Sequence, residues 1–125
     1  MILVDTNIFV EFYKNNPVIC KQIEHIDPKE IRVNDIVCAE LYFGARDKQE
    51  LSNIVADMEK LTDLPLFQNI SKLATELVKK YCLSHKLRLP DAQIAATAIF
   101  HNAKLFTLNK KDFAYIPNLK LHEPE

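Results

Sequence analysis

Met1-Ile2-Leu3-Val4-Asp5 opens the chain as a short apolar run that stops at a carboxylate. Residues 2–5 are predicted to form a buried strand, and Thr6 or Asn7 is predicted to cap the helix that follows. Burying an ionised carboxylate without a partner costs several kcal/mol. The end of this strand is therefore where we look first for a site.

Short apolar segments alternate with helical patterns along the rest of the sequence. Further strands are predicted at 31–33, 64–66, 104–107 and 119–121. Further helices are predicted from Pro17, from a cap at Asp35 to an end near Gly44, and over 47–62, 70–85 and 91–101. This alternation predicts one α/β domain over residues 1–125, with a mostly parallel central sheet flanked by helices.

The composition is typical of a soluble globular domain. The chain has 125 residues, of which 48% are apolar and 26% are charged. No run is long enough to span a bilayer, and Asp5 interrupts the N-terminal apolar stretch, so no signal peptide is expected. Three cysteines without CxxC spacing favour a reduced, cytoplasmic setting. A single glycine excludes glycine-rich phosphate loops, and no Cys/His quartet suits structural zinc.

Charge is distributed unevenly although the net charge is only −1. Residues 1–63 hold 7 Lys and Arg against 12 Asp and Glu, whereas residues 64–125 hold 9 against 5. The candidates for binding a polyanion are Lys79, Lys80, Lys86 and Arg88. The alternative is that these residues form ordinary solvated helix faces.

Three acids stand in apolar surroundings. They are Asp5, Glu40 within Cys38-Ala39-Glu40-Leu41-Tyr42-Phe43, and Asp91 before the apolar run 92–100. No Lys or Arg interrupts these runs, and an oxygen-only acidic set suits Mg²⁺ or Mn²⁺ rather than zinc. Asp5 and Asp91 could instead be plain helix caps, and Glu40 could emerge on a solvent-facing stripe.

Polar residues also follow a later strand. Asn109 comes after the predicted strand that ends at Thr107, and Asp112 comes one helical turn later. Ligands in open parallel sheets sit beyond the carboxyl ends of the strands. Asp5 and this second group could therefore meet at one edge, although sequence spacing alone does not establish that they do.

Four segments together resemble the PIN domain. Leu3-Val4-Asp5-Thr6-Asn7 resembles its opening, Glu40-Leu41-Tyr42-Phe43-Gly44-Ala45 its second motif, and Leu89-Pro90-Asp91-Ala92-Gln93-Ile94-Ala95-Ala96 its third. The segment from Leu105 to Phe113 resembles its fourth motif. Each motif is weak alone, but four in order over essentially the whole chain are specific. The form of the second motif is most similar to VapC-type toxins of prokaryotic toxin–antitoxin pairs.

The resemblance implies an endoribonuclease that depends on Mg²⁺ or Mn²⁺. It carries over Asp5, Glu40 and Asp91 as metal-site acids, with Asp112 preferred to Asn109 as the fourth, acting through water. Thr6, Asn7, Thr107 and Asn109 are expected to be supporting polar groups. The choice between one and two metal ions stays open.

The same resemblance implies a homodimer and a small antitoxin partner that enters a groove leading to the acids. Phe12 and Tyr13 are candidates for the apolar contact, the alternative being ordinary core packing. Two other functions stay open at this point. One is a housekeeping RNA-processing nuclease, and the other is a non-catalytic module that binds metal or nucleic acid.

Overall fold

The computed structural model describes all 125 residues. It contains five strands and six α-helices. The strands are β1 (Ile2–Val4), β2 (Ile31–Val33), β3 (Thr62–Asp63), β4 (Lys104–Phe106) and β5 (Lys120–Leu121). The helices are α1 (Thr6–Tyr13), α2 (Pro17–Glu24), α3 (Asp35–Phe43), α4 (Lys48–Glu59), α5 (Gln68–His85) and α6 (Leu89–Phe100). Short 3₁₀ helices cover Pro28–Glu30 and Lys110–Asp112.

All five strands are parallel and lie in the order β3-β2-β1-β4-β5. The predicted α/β domain with a parallel sheet is confirmed. β1 is central because successive connections run first to β2 and β3 on one side, and then to β4 and β5 on the other. In such sheets the crevice between the strands where the order reverses is the usual ligand site. Here that crevice lies beyond the ends of β1 and β4.

The core is aliphatic and continuous. β1 and β4 contribute Leu3, Val4, Leu105 and Phe106, all at most 2% exposed. Helix α6 is buried nearly all round, as its sequence predicts, and it packs most extensively against α5. Small alanines at 92, 95, 96 and 98 allow this close approach, since each is fully buried. No helix combines the length and the hydropathy that crossing a bilayer requires.

The element boundaries differ from the predicted ones where capping residues cluster. The N-cap of α1 is Asp5, not Thr6 or Asn7, because the Asp5 carboxylate accepts the backbone N–H of Thr6 at 2.8 Å. The N-cap of α3 is Asn34, not Asp35. The third strand is Thr62–Asp63 rather than residues 64–66, since it is those two residues that pair with β2.

Asn34 holds the structure together in a way that sequence reasoning missed. Its side-chain oxygen accepts the N–H of Val37 at 2.9 Å, and its side-chain nitrogen donates to the hydroxyl of Thr97 at 3.0 Å. Both Asn34 and Thr97 are fully buried. The end of β2 and the start of α3 are thereby fixed to α6. This contact sets the position of α3 relative to α6, the helices that carry Glu40 and Asp91.

We expect Asn34→Ala to lower the free energy of unfolding by about 2 kcal/mol, because it removes a helix cap and a buried hydrogen bond. The melting temperature should fall by roughly 6–10 °C. The matched control is Asp35→Ala, on the exposed first turn of the same helix, which should cost less than about 0.5 kcal/mol. Equal losses in calorimetry would contradict the assignment of Asn34 as the cap.

Candidate active site

Asp5 lies at the reversal point of the sheet and is only 5% exposed. One carboxylate oxygen accepts the N–H of Thr6, and the other accepts the hydroxyl of Thr107 at 2.8 Å. Burial raises the pKa of Asp5, and the two hydrogen bonds oppose that rise without cancelling it. No Lys or Arg pairs with this carboxylate, since none of the ion pairs in the structure includes it. Asp5 is thus both the cap of α1 and an uncompensated buried acid.

Glu40 projects from α3 toward the same place. The hydroxyl of Thr6 donates to its carboxylate at 2.8 Å, which brings the second predicted motif against the first. Its apolar sequence context suggested burial, but the residue is exposed. The helical period explains this, because Val37 and Leu41 take the inward positions of α3 and leave Glu40 at the margin.

Asp91 is the third residue of α6 and is not a cap. The N-cap position belongs to Arg88, which makes no side-chain cap. Burial and the charges of Asp5, Glu40 and Asp112 raise the pKa of Asp91 to about 6, against a weaker opposing effect of Arg88. The charges of Asp5 and Glu40 act on the pKa of Asp91, and all three acids line one cleft. Three segments that are distant in sequence therefore bring their carboxylates close enough to repel one another.

The fourth group is divided between two residues. Asn109 lines the acidic cleft, and its N–H donates to the Thr107 hydroxyl at 3.1 Å. Asp112 is exposed and does not line the cleft, although its charge raises the pKa of Asp91. The side chain of Asn7 accepts the N–H of Leu108 at 3.3 Å and so fastens α1 to the loop after β4. The structure thus brings Asn109 into the cleft and leaves Asp112 beside it.

These residues surround one open cleft of about 420 Å³. It is lined by Asp5, Thr6, Asn7, Val10, Glu11, Lys14, Glu40, Asp91, Leu108 and Asn109. Val10, Glu11 and Lys14 were not predicted. Their signal was the helical spacing of three, four and seven residues from Asn7 along α1 to its C-cap at Lys14, which places them on one face. Lys14 is the only cation of the lining set.

The donor set suits a hard divalent cation. Every carboxylate and amide of the cleft offers oxygen, and the acids repel one another without an ion-pair partner. No three His, Cys, Asp or Glu side chains form a ready-made metal-binding group. The oxygen donors of the cleft, rather than a preformed group, are what fit Mg²⁺, which keeps several water ligands and is held by few carboxylates. Asp5, Glu40 and Asp91 are the residues that could hold such an ion.

The predicted polyanion-binding residues lie at the surface around the end of α5. Lys79, Lys80, Lys86 and Arg88 are all exposed. Lys79 pairs with Glu76 at 3.2 Å on its own helix. Arg88 lies close enough to Asp91 to lower its pKa. Of the four, Arg88 is therefore the one that the structure ties to the acidic cleft.

Fold and cleft together define an α/β domain with an acidic site at the carboxyl edge of a parallel sheet. A sequence model of the PIN domain matches residues 2–119, and the chain belongs to the PIN domain family. It is 29% identical over 123 residues to Ribonuclease VapC19 of Mycobacterium tuberculosis, an alignment covering 96% of this chain and 98% of that protein.

Solved structures give the same result. The chain is similar to a protein in a toxin–antitoxin complex from Klebsiella pneumoniae, with a TM-score of 0.81 and 29% identity over 95% of both chains. It is equally similar to a chain of the VapBC2 complex from Rickettsia felis bound to a DNA fragment from their promoter, with a TM-score of 0.81 and 29% identity over 100% of both chains. The predicted resemblance to VapC-type proteins is confirmed.

The raised pKa of Asp91 predicts a pH-dependent loss of stability in the metal-free protein. Its stabilising contribution is complete below the ordinary pKa of 3.8 and is lost as the pH rises through about 6. At pH 8 the free energy of unfolding of Asp91→Asn should therefore exceed that of wild type by about 1–2 kcal/mol, after allowance for solvent screening. Near pH 4 the two proteins should be equally stable. Chemical denaturation in EDTA at both pH values measures the difference. A gap of equal size at both would contradict the prediction.

Proposed function

We propose that this protein is a divalent-metal-dependent endoribonuclease and the toxin of a toxin–antitoxin pair, acting in the cytoplasm. The observation that carries the proposal is the cleft itself, in which Asp5, Glu40 and Asp91 from three separate segments meet and none of them forms an ion pair with a Lys or Arg. The names of the similar proteins from M. tuberculosis and R. felis support the choice of RNA as substrate and of an antitoxin as partner.

The three acids would be held ready for a metal ion in different ways. Asp5, held by Thr6 and Thr107, cannot rotate away from the cleft without losing two hydrogen bonds. Glu40 is oriented by the Thr6 hydroxyl, so one residue positions both acids. Asp91 would be ionised at neutral pH, since its pKa of about 6 lies below 7. When bound, Mg²⁺ or Mn²⁺ would neutralise the scissile phosphate and activate the attacking water.

The fourth acid would act from the margin of the site. Asp112 adds negative charge close to Asp91 but does not line the cleft, which suits a group that contributes through water. Asn109 could then meet the substrate or a water directly, because it is a lining residue. Thr107 supports both arrangements through its bonds to Asp5 and to the N–H of Asn109.

The purified protein should cut single-stranded RNA in millimolar Mn²⁺, and EDTA should abolish cutting. We expect Glu40→Gln to lower kcat by about 100-fold or more, and Asp112→Asn to cost less because it would act through water. Glu59→Gln, an isosteric change at an exposed end of α4, is the matched control and should retain wild-type activity. Full activity of Glu40→Gln would exclude the assigned site, and no cutting by the wild type would favour a non-catalytic module.

A second cavity is our candidate for the place where the antitoxin would bind. It measures about 850 Å³, lies between α1, α3 and α4, and shares Val10, Lys14 and Glu40 with the acidic cleft. Tyr13 lines this cavity, and its hydroxyl donates a hydrogen bond to Asp57 at 2.8 Å. Burial is the main cause that raises the pKa of Tyr13, and the hydrogen bond to Asp57 is the second. Phe12, which lies against Tyr13, is 37% exposed, so neither aromatic side chain is fully buried in the core. A partner segment lying here would reach Glu40.

Co-expression with a neighbouring gene for a small DNA-binding protein should yield a complex that contains a dimer of this chain. Asn53→Arg, which fills the second cavity from α4, should weaken the complex by at least about tenfold. Ser52→Arg, next to it but outside the lining, is the matched control. Co-purification and sedimentation measure both variants. Failure of any adjacent gene product to bind would favour the housekeeping nuclease.

A further inference from the structure

Three aromatic rings form a cluster at the C-terminal end of α5, which we call the aromatic stack. His85 lies flat against Tyr115, with ring centroids 3.7 Å apart and planes inclined by 15°. Tyr81, one helical turn before His85, meets Tyr115 edge-on at 4.9 Å and His85 at 5.7 Å. The stack therefore joins the last turn of α5 to the turn that follows the 3₁₀ helix Lys110–Asp112.

The stack borders the acidic cleft. Burial raises the pKa of Tyr115, and the charges of Asp112 and Asp91 raise it further, so both acids lie close to its hydroxyl. On the other side, α5 ends at His85, and residues 86–88 lead directly into α6 and Asp91. Asp112 thus stands three residues before Tyr115, and Asp91 stands six residues after His85.

One face of the stack is open and held ready. His85 is an exposed residue, although Tyr115 covers one face of its ring and Tyr81 approaches its edge. The Ser84 hydroxyl lies 2.8 Å from Nδ1 of His85 and helps to orient the ring, whose open side is the one away from Tyr115. A flat, oriented and exposed ring is what a nucleobase needs for stacking.

The stack also contains an unmet polar group. The Tyr115 hydroxyl is buried and has no hydrogen-bond partner. Such a group costs about 1–3 kcal/mol when left unpaired, so the cluster is not optimised as a piece of core. Cations also lie along this part of the chain. Lys80 lies 5.5 Å above the ring of Tyr81, and Lys86 and Arg88 occupy the turn after His85. Positive charge around an exposed aromatic ring suits a nucleic acid strand rather than an apolar peptide.

We propose that the outer face of His85 is the stacking site for one unpaired base of single-stranded RNA, with Lys80, Lys86 and Arg88 contacting the flanking phosphates. The site rests on the proposed function, because it would position a nucleotide next to the phosphate that meets Asp91. Tyr115 supports His85 from below and Tyr81 from the side. Every base has a flat face, so the site selects an unpaired strand rather than a sequence.

The test measures stacking without cleavage. Wild-type protein in EDTA is titrated into a short oligoadenylate that carries one 2-aminopurine, whose fluorescence falls when it stacks. We expect quenching on binding. His85→Ala should lose the quenching and bind about tenfold more weakly, whereas His85→Phe, which keeps a flat ring, should stay within about twofold of wild type. His25→Ala, an exposed histidine at the end of α2, is the matched control.

Two results would overturn the proposal. The first is that wild-type protein does not bind the oligonucleotide, or binds it without quenching. The second is that His85→Ala keeps wild-type quenching and affinity, which would show that the stack only packs the protein. Melting temperatures of the variants check that each is folded. Cutting of RNA by wild type in Mn²⁺ is scored separately. Cutting without stacking removes only the His85 site, whereas stacking without cutting removes the nuclease and leaves a base-binding surface.

Discussion

The bond between Thr107 and Asp5 is the contact on which the rest of the site depends. It ties the ends of β1 and β4 together at the point where the strand order reverses. The group that accepts this hydrogen bond is the Asp5 carboxylate, which is also the most buried acid of the site. A buried carboxylate held only by neutral donors keeps its oxygens oriented but its charge unneutralised. The polypeptide fold therefore creates the electrostatic need that a cation can satisfy.

This arrangement places fold stability and site chemistry in opposition. Asp91 and Asp5 would be less costly as neutral residues in the metal-free protein, and the Tyr115 hydroxyl is buried without a partner. The opposing stabilisation comes from the fully buried surface of α6 and from the Asn34–Thr97 contact beneath it. Destabilising groups concentrate within one edge of the molecule, as is common where a protein binds a ligand.

The sequence predicts the architecture well because most strands are short apolar runs and most helices have an apolar period, while α6 stands out as a helix that is apolar nearly all round. The sheet, the buried α6 and the start of α2 at Pro17 follow from this. The predicted caps at Thr6 or Asn7 and at Asp35 were wrong, since neighbouring residues of equal capping ability compete and only the tertiary contacts decide. Strand β3 has two residues, too few to leave a hydropathy pattern.

The site was predictable only in part. Resemblance to a family grouped the acids, but the exposure of Glu40 was hidden by its apolar neighbours. The four-residue spacing of Tyr81 and His85 places them on one helix face, yet nothing local to Tyr115 shows that it lies beneath His85. Contacts between segments so distant in sequence leave no signal in the local sequence. The roles of the site residues in catalysis stay predictions.

The separation of Asp5 and Thr107 in sequence also has a consequence for synthesis on the ribosome. The two residues that bond are 102 positions apart, and β1 cannot pair with β4 until the latter has emerged. Chains fold as they are made, from the N-terminus onward. Most of the nascent chain must therefore leave the ribosome before its first strand acquires the neighbour that completes the cleft. A translating ribosome would therefore carry a polypeptide whose cleft has not yet formed. The position of β4 near the end of the sequence determines how late the cleft can form.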